Sequence, residues 1–128
     1  MGLNVNALVG RLVDKPAGGQ TNNGQPYARF KLAVERNYKN QSGERDTDFI
    51  PCQIYRSSAD YLMKYGDQGD TVSIRGQLRQ NHWTDKQGQQ RSSLYVLADE
   101  ASIIAHPQRN QMSRQHYEQQ QQSYQQAY

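Results

Sequence analysis

Apolar and polar residues alternate along most of the first hundred positions, and a period of two predicts β-strands. In residues 27–35, YARFKLAVE, the alternation puts Ala28, Phe30, Leu32 and Val34 on one face. In residues 49–56, FIPCQIYR, it groups Ile50, Cys52 and Ile54. In residues 70–79, DTVSIRGQLR, it groups Val72, Ile74 and Leu78. Residues 3–13 and 93–104 are apolar on both faces, as strands covered on two sides are. Turn signals separate the runs at Gly18-Gly19, Asn23-Gly24, Ser42-Gly43 and Gln87-Gly88. One segment breaks the alternation. Residues 57–69, SSADYLMKYGDQG, open on capping residue types, carry apolar side chains at Ala59, Leu62 and Met63, and meet a stop at Gly66. That predicts a short capped helix.

Three strands, one helix and two strands form the element order of an OB-fold: an all-β, five-stranded antiparallel barrel with one short helix between strands 3 and 4. The pattern ends near His106. Residues 107–128 hold nine Gln and three Tyr, and no Val, Leu, Ile, Phe or Trp. Such a segment buries too little apolar surface to offset the entropy of ordering it. The expected organisation is a folded unit over 1–106 and a disordered Gln/Tyr-rich tail over 107–128. The tail reads either as a solvated end or as a self-association segment.

The face opposite the aliphatic side chains carries the candidate chemistry. On the third predicted strand it presents Phe49, Pro51, Gln53 and Tyr55. On the fourth it presents Ser73, Arg75, Gln77 and Arg79, and a continuing strand brings Asn81 and Trp83 to the same side. On the second it presents Tyr27, Arg29, Lys31 and Glu35. Aromatics interleaved with cations admit two readings. They pack under a loop or a second subunit, or they form a stacking platform for single-stranded nucleic acid. Every base has a π-face, so stacking needs no sequence choice, and nearby cations meet the phosphates. Trp83, the only tryptophan, lies in GQLRQNHWTDKQGQQR (76–91), among residues that favour water. The second reading accounts for that placement, because the surface that buries Trp83 is then supplied by the ligand.

Composition is compatible with this. The net charge is +3, with a sequence pI near 9.1, which permits a polyanionic partner. The single Cys52 excludes an internal disulfide and a cysteine-based zinc site and fits a reducing compartment. No apolar run approaches the roughly 18 residues that span a membrane, and the N-terminus lacks a secretory pattern. A cytoplasmic, nucleoid-associated protein without membrane contact is expected. His82, His106 and His116 lack metal-ligand spacing. Asp99 and Glu100 are adjacent in a predicted strand and should point to opposite faces. No catalytic constellation is visible, so neither enzymatic activity nor a cofactor is expected.

These residues resemble the bacterial single-stranded DNA-binding protein family over about residues 3–105. The resemblance is carried by NALVGRLVDKP, YARFKLAVERNYKN, TDFIPCQIY, YGDQGDTVSIRGQLRQNHWTD and SLYVLADEASII, and most specifically by G-Q-L-R-x-x-x-W-T-D. It implies homotetramers that coat single-stranded DNA in replication, recombination and repair, with four base-stacking positions falling here on Tyr38, Phe49, Tyr55 and Trp83. Tyr38 enters only through the resemblance, which places it in the long loop after the second strand. Arg29, Lys31, Arg75 and Arg79 are the candidate phosphate contacts. Three features depart from the family. Pro51 interrupts a strand, Asn81 and His82 replace basic residues, and the tail ends SYQQAY without an acidic tip. Either the chain is an accessory, phage- or plasmid-type member, which would not recruit partner enzymes through such a tip, or it is truncated. The alternative function is an OB-fold accessory subunit of the primosome type, acting mainly through protein contacts; the aromatic face argues against it.

Overall fold

The computed structural model describes residues 1–107. From residue 108 onward the expected tail lies outside the described residues. The strands are β1 (Asn6–Leu12), β2 (Ala17–Gln20), β3 (Pro26–Lys39), β4 (Arg45–Tyr55), β5 (Thr71–Thr84) and β6 (Gln90–Ala105), with helix α1 (Ser57–Tyr65) between β4 and β5. Five strands follow the order β1-β5-β6-β4-β3, and a short β1–β3 ladder at Arg11–Ala33 and Leu12–Leu32 closes them into the barrel of an OB-fold. Among the described residues the ladders are antiparallel except β4–β6, which runs parallel from Cys52–Val96 to Ile54–Ala98. The alternating aliphatics converge inside: Leu12, Leu32, Ile54, Val72 and Val96 are fully buried, with Ala59 and Leu62 of α1 packed into the same cluster.

Gly18-Gly19, expected as a turn, lies instead in the sixth strand, β2, paired from Ala17–Arg29 to Gln20–Pro26. A Cβ on Gly18 would stand 2.0 Å from the Tyr27 carbonyl oxygen. Glycine therefore serves close backbone approach here, not chain reversal. The reversal occurs at Asn23-Gly24, in one of three loops of the same design: Thr21–Gln25, Asn40–Glu44 and Asp85–Gln89. In each, the first residue's N–H donates to the fifth residue's carbonyl, and the fourth, a glycine near φ +80°, donates to the first residue's carbonyl. The first residue's side-chain oxygen accepts a further backbone N–H. Thr, Asn and Asp at that position, with a left-handed glycine, give the three-residue hairpin loop its sequence signature.

The helix begins differently from expectation. Its N-cap is Arg56, at φ 66° and ψ −144°, without a side-chain capping bond; Ser57 and Ser58 lie inside the first turn. That backbone region is rarely adopted by a residue with a Cβ. Neighbours impose it: the Arg56 N–H donates to Pro26 O at 2.8 Å, while its carbonyl accepts from Ala59 and Asp60. The helix does stop at Gly66, but in extended conformation at φ −82°.

Two arms project beyond the barrel, the distal parts of the β3–β4 and β5–β6 hairpins. The second begins at an irregularity, because β6 carries one extra residue, Asp99, between the pairs Gly76–Ala98 and Arg75–Glu100. A Cβ on Gly76 would meet Leu97 O at 2.1 Å, so the bend requires glycine. Two local features mark this region. Leu78 retains the parity of a core residue but is exposed on the arm. Asp99 and Glu100, expected on opposite faces, both reach Arg75, at 3.6 and 3.1 Å. Asp70, fully buried, receives Asp67 N–H on one carboxylate oxygen and lies 2.9 Å from His106 Nδ1 through the other, joining the end of β6 to the turn before β5.

Candidate nucleic-acid interface

The outward faces of β3, β4, β5 and β6 form one wall, and strand register decides what meets on it. Phe49 and Tyr55 stand six residues apart on the outward side of β4, with Pro51 and Gln53 between them. Tyr27 of β3 pairs with Tyr55, their ring centroids 6.3 Å apart, and the Arg29 guanidinium lies 5.6 Å from the Tyr27 ring centre. The Tyr55 hydroxyl donates to Gln53 Oε1 at 3.2 Å, which fixes that ring's edge and leaves its face open.

Trp83 sits on the β5–β6 arm opposite Arg91. The arm is held at its tip by Asp85, whose carboxylate accepts N–H bonds from Gln87 and Gln89 and an Arg91 Nε bond at 3.0 Å. These donors, the Gln89 amide foremost, hold the Asp85 carboxyl below its ordinary range. Tyr38 lies within β3 on the other arm, not in a loop as the resemblance implied; the polar run after Val34 hides a strand that is solvated on both faces. Arg36 grips Asp48 through Nε at 3.1 Å and Nη2 at 3.0 Å and reaches the Tyr38 hydroxyl at 3.3 Å. The Asp48 hydrogen bond raises the guanidinium's pKa and lowers that of Asp48. Exposure is 62% for Tyr38, 59% for Phe49, 45% for Trp83 and 37% for Tyr55, large values for aromatic side chains that water does not reward.

The cations divide by partner. Lys31 and Arg79 are exposed and form no ion pair among the described residues, while Arg29 is engaged only with the Tyr27 ring. Arg75 is held by Asp99 and Glu100, so less of its charge is available to a ligand. Sequence reasoning did not single out Tyr95, Lys15 or Arg91. Tyr95 is concealed in a run that is apolar on both faces. It nevertheless pairs with Arg79 and lines a concavity of about 330 Å³ with Lys15, Arg29, Lys31, Pro51 and Gln53. Lys15 closes one side, its Nζ donating to Gly66 O at 3.0 Å. Arg91 shares a sequence stretch with Trp83, and the hairpin signal at Gln87-Gly88 could have placed it across the strand.

Pro51 fits without breaking a ladder. It pairs with Lys31, whose carbonyl accepts from Val13 N–H at 3.0 Å and so points away from β4. The Lys31–Pro51 pair is therefore of the non-hydrogen-bonded type, where side chains approach more closely and no N–H is required. On the other side, the β4–β6 register begins one residue later, at Cys52. Cys52 faces inward, and burial pushes its thiol up to about 12.

Residues 3–104 match the family model of the single-strand binding protein family. Similar curated proteins include Single-stranded DNA-binding protein 3 of Streptococcus agalactiae serotype V, 38% identical over 97 residues, covering 76% of this chain and 70% of that protein. Single-stranded DNA-binding protein 1 of Lactococcus lactis subsp. lactis is 37% identical over 97 residues, covering 76% and 65%. The Single-stranded DNA-binding protein of Lactiplantibacillus plantarum is 34% identical over 102 residues, covering 80% of this chain and 51% of that protein. A match across the whole barrel, together with aromatics standing out from its wall and both arms, shows that this chain belongs to the single-strand binding protein family.

Proposed function

We propose that the protein coats single-stranded DNA without sequence choice during replication, recombination and repair. Trp83, Tyr55, Phe49 and Tyr38 stack bases; Arg29, Lys31 and Arg79 meet phosphates, with Arg75 in a lesser part. The observation that carries this is four exposed aromatics on the wall and both arms beside cations that form no ion pair among the described residues. The names of the related proteins support it. An OB-fold subunit working through protein contacts alone would not keep rings at all four positions.

The binding form is a homotetramer, located with the DNA in the cytoplasm. Leu3 and Val5 just before β1, Val9 on β1, and Leu94 and Ile104 on β6 are exposed aliphatics, and a subunit contact would cover such surface. Titration of the protein with oligo-dT and with mixed-sequence oligonucleotides tests the binding. Saturable quenching of Trp83 emission is expected, with single strands preferred over duplex. Absence of quenching at saturating oligo-dT would overturn the reading. Light scattering should give four times the 14.7 kDa chain mass at micromolar concentration, and a monomer would refute the assembly.

A further inference from the structure

We infer that Tyr95 and Pro51 form the floor of an additional nucleotide subsite on the barrel wall, flanked by Arg79 and Lys31. The inference rests on the single-stranded DNA reading and adds a base contact to it.

Register places these four residues in one row across four strands. Arg79 of β5 pairs with Tyr95 of β6. Cys52 of β4 pairs in parallel with Val96, so the preceding residues, Pro51 and Tyr95, are outward neighbours. Pro51 pairs with Lys31 of β3. The row thus runs cation, aromatic ring, pyrrolidine ring, cation. Tyr95, Pro51 and Lys31 line the concavity of about 330 Å³, a volume at the lower end of the range for small-ligand sites, and Arg79 adjoins it through its pairing with Tyr95. Tyr95 is half-buried: its ring is held in the wall yet lines open space. Pro51 contributes an apolar surface with no rotamer freedom to lose. Among the described residues neither Lys31 nor Arg79 forms an ion pair, although Asp14 also lines the concavity, so a phosphate on either side of a base seated on the floor meets an available cation.

Position selects the occupant. Pro51 lies two residues, about 7 Å along the strand, from Phe49. A DNA strand passing along β4 from Phe49 to Tyr55 must cross the Tyr95–Pro51 floor. The proline ring, unlike a long side chain, does not reach up into the space above the floor.

The test compares wild-type protein with Tyr95→Phe, Tyr95→Ala and Tyr95→Leu, using labelled oligo-dT anisotropy alongside Trp83 quenching. Tyr95→Phe should bind like wild type. Tyr95→Ala should weaken binding roughly 5- to 150-fold, the loss of one stacked base, with an unchanged salt slope and Trp83 still quenched at saturation. Tyr95→Leu keeps apolar cover over the wall without a π-face, so it should match Tyr95→Ala in binding while retaining the wild-type melting temperature. A single abasic residue walked along the oligonucleotide should cost wild type affinity at one position where it costs Tyr95→Leu nothing. Wild-type affinity in Tyr95→Leu, or an identical abasic profile, overturns the subsite while leaving the other stacking positions standing. Failure of wild-type protein to quench on oligo-dT overturns the binding reading itself.

Discussion

Replacing Trp83 by alanine isolates the share of binding that comes from one stacked base. The side chain leaves 45% of its surface open. Taking ~250 Å² for a whole tryptophan, ~110 Å² is open, and at 25 cal/mol per Å² its full burial would contribute ~2.8 kcal/mol. A base covers one face of the ring, so about half of this, ~1.4 kcal/mol, is realised, which is tenfold in Kd. That figure lies within the range measured for base–aromatic stacking. Arg91, opposite Trp83, stays bonded to Asp85 when the ring is removed, so the arm should keep its shape. The variant has no tryptophan, so its affinity must be read by anisotropy of labelled oligo-dT, with Trp83→Phe as the control that keeps a π-face. The expected result is about tenfold weaker binding for Trp83→Ala, a small loss for Trp83→Phe, and unchanged melting temperature for both. A Kd for Trp83→Ala within twofold of wild type, with melting unchanged, would refute the stacking role of Trp83.

Other expectations follow from the same geometry. Arg56→Gly should stabilise the fold by about 1 kcal/mol, raising Tm by roughly 4–8 °C, since glycine adopts φ 66°, ψ −144° without strain; a lower Tm would show that the Arg56 side chain is needed there. Salt should weaken binding with a shallow log–log slope, about −2 per barrel for three available cations, and Arg75→Gln should barely change it whereas Lys31→Gln should flatten it by about 0.7; equal effects would mean that Asp99 and Glu100 release Arg75 on binding. Asp48 and Asp85 both have lowered pKa values, so their contribution to the arms is fully present above the ordinary carboxylate value of 3.8 and is lost as pH falls through their lower folded values. Trp83 emission should therefore report arm loosening only in acid below that value, and Asp85→Asn should suppress it; a transition near neutral pH would refute the assignment.

Much of the barrel was legible because its strands are amphipathic. Ala28, Phe30 and Leu32, like Cys52 and Ile54, are buried where alternation put them. Phe49, Tyr55 and Trp83 were legible for the complementary reason: a large ring out of phase with the core has no apolar partner in its own strand. What alternation could not show was anything set by backbone approach. Gly18 signals a turn in sequence and a tight strand pairing in space. The extra residue at Asp99 shifts parity midway along β6, which brings two acids onto Arg75, and Leu78 keeps core parity yet lies out on the arm. Tyr38 was hidden because an arm solvated on both faces has no apolar period. Tyr95 was hidden because two-sided apolarity gives every residue the same label.

The inward position of Cys52 has a practical consequence for watching this protein work. A thiol whose pKa is pushed to about 12, and which is closed off inside the barrel, holds almost no thiolate at neutral pH and reacts slowly with maleimides. A cysteine introduced at an exposed loop position, such as Gln87 at the tip of the Trp83 arm, would thus be the one site that takes a dye, without first replacing the native residue and disturbing the core. Distances between such labels on successive molecules along a DNA strand could then be followed on the unaltered barrel.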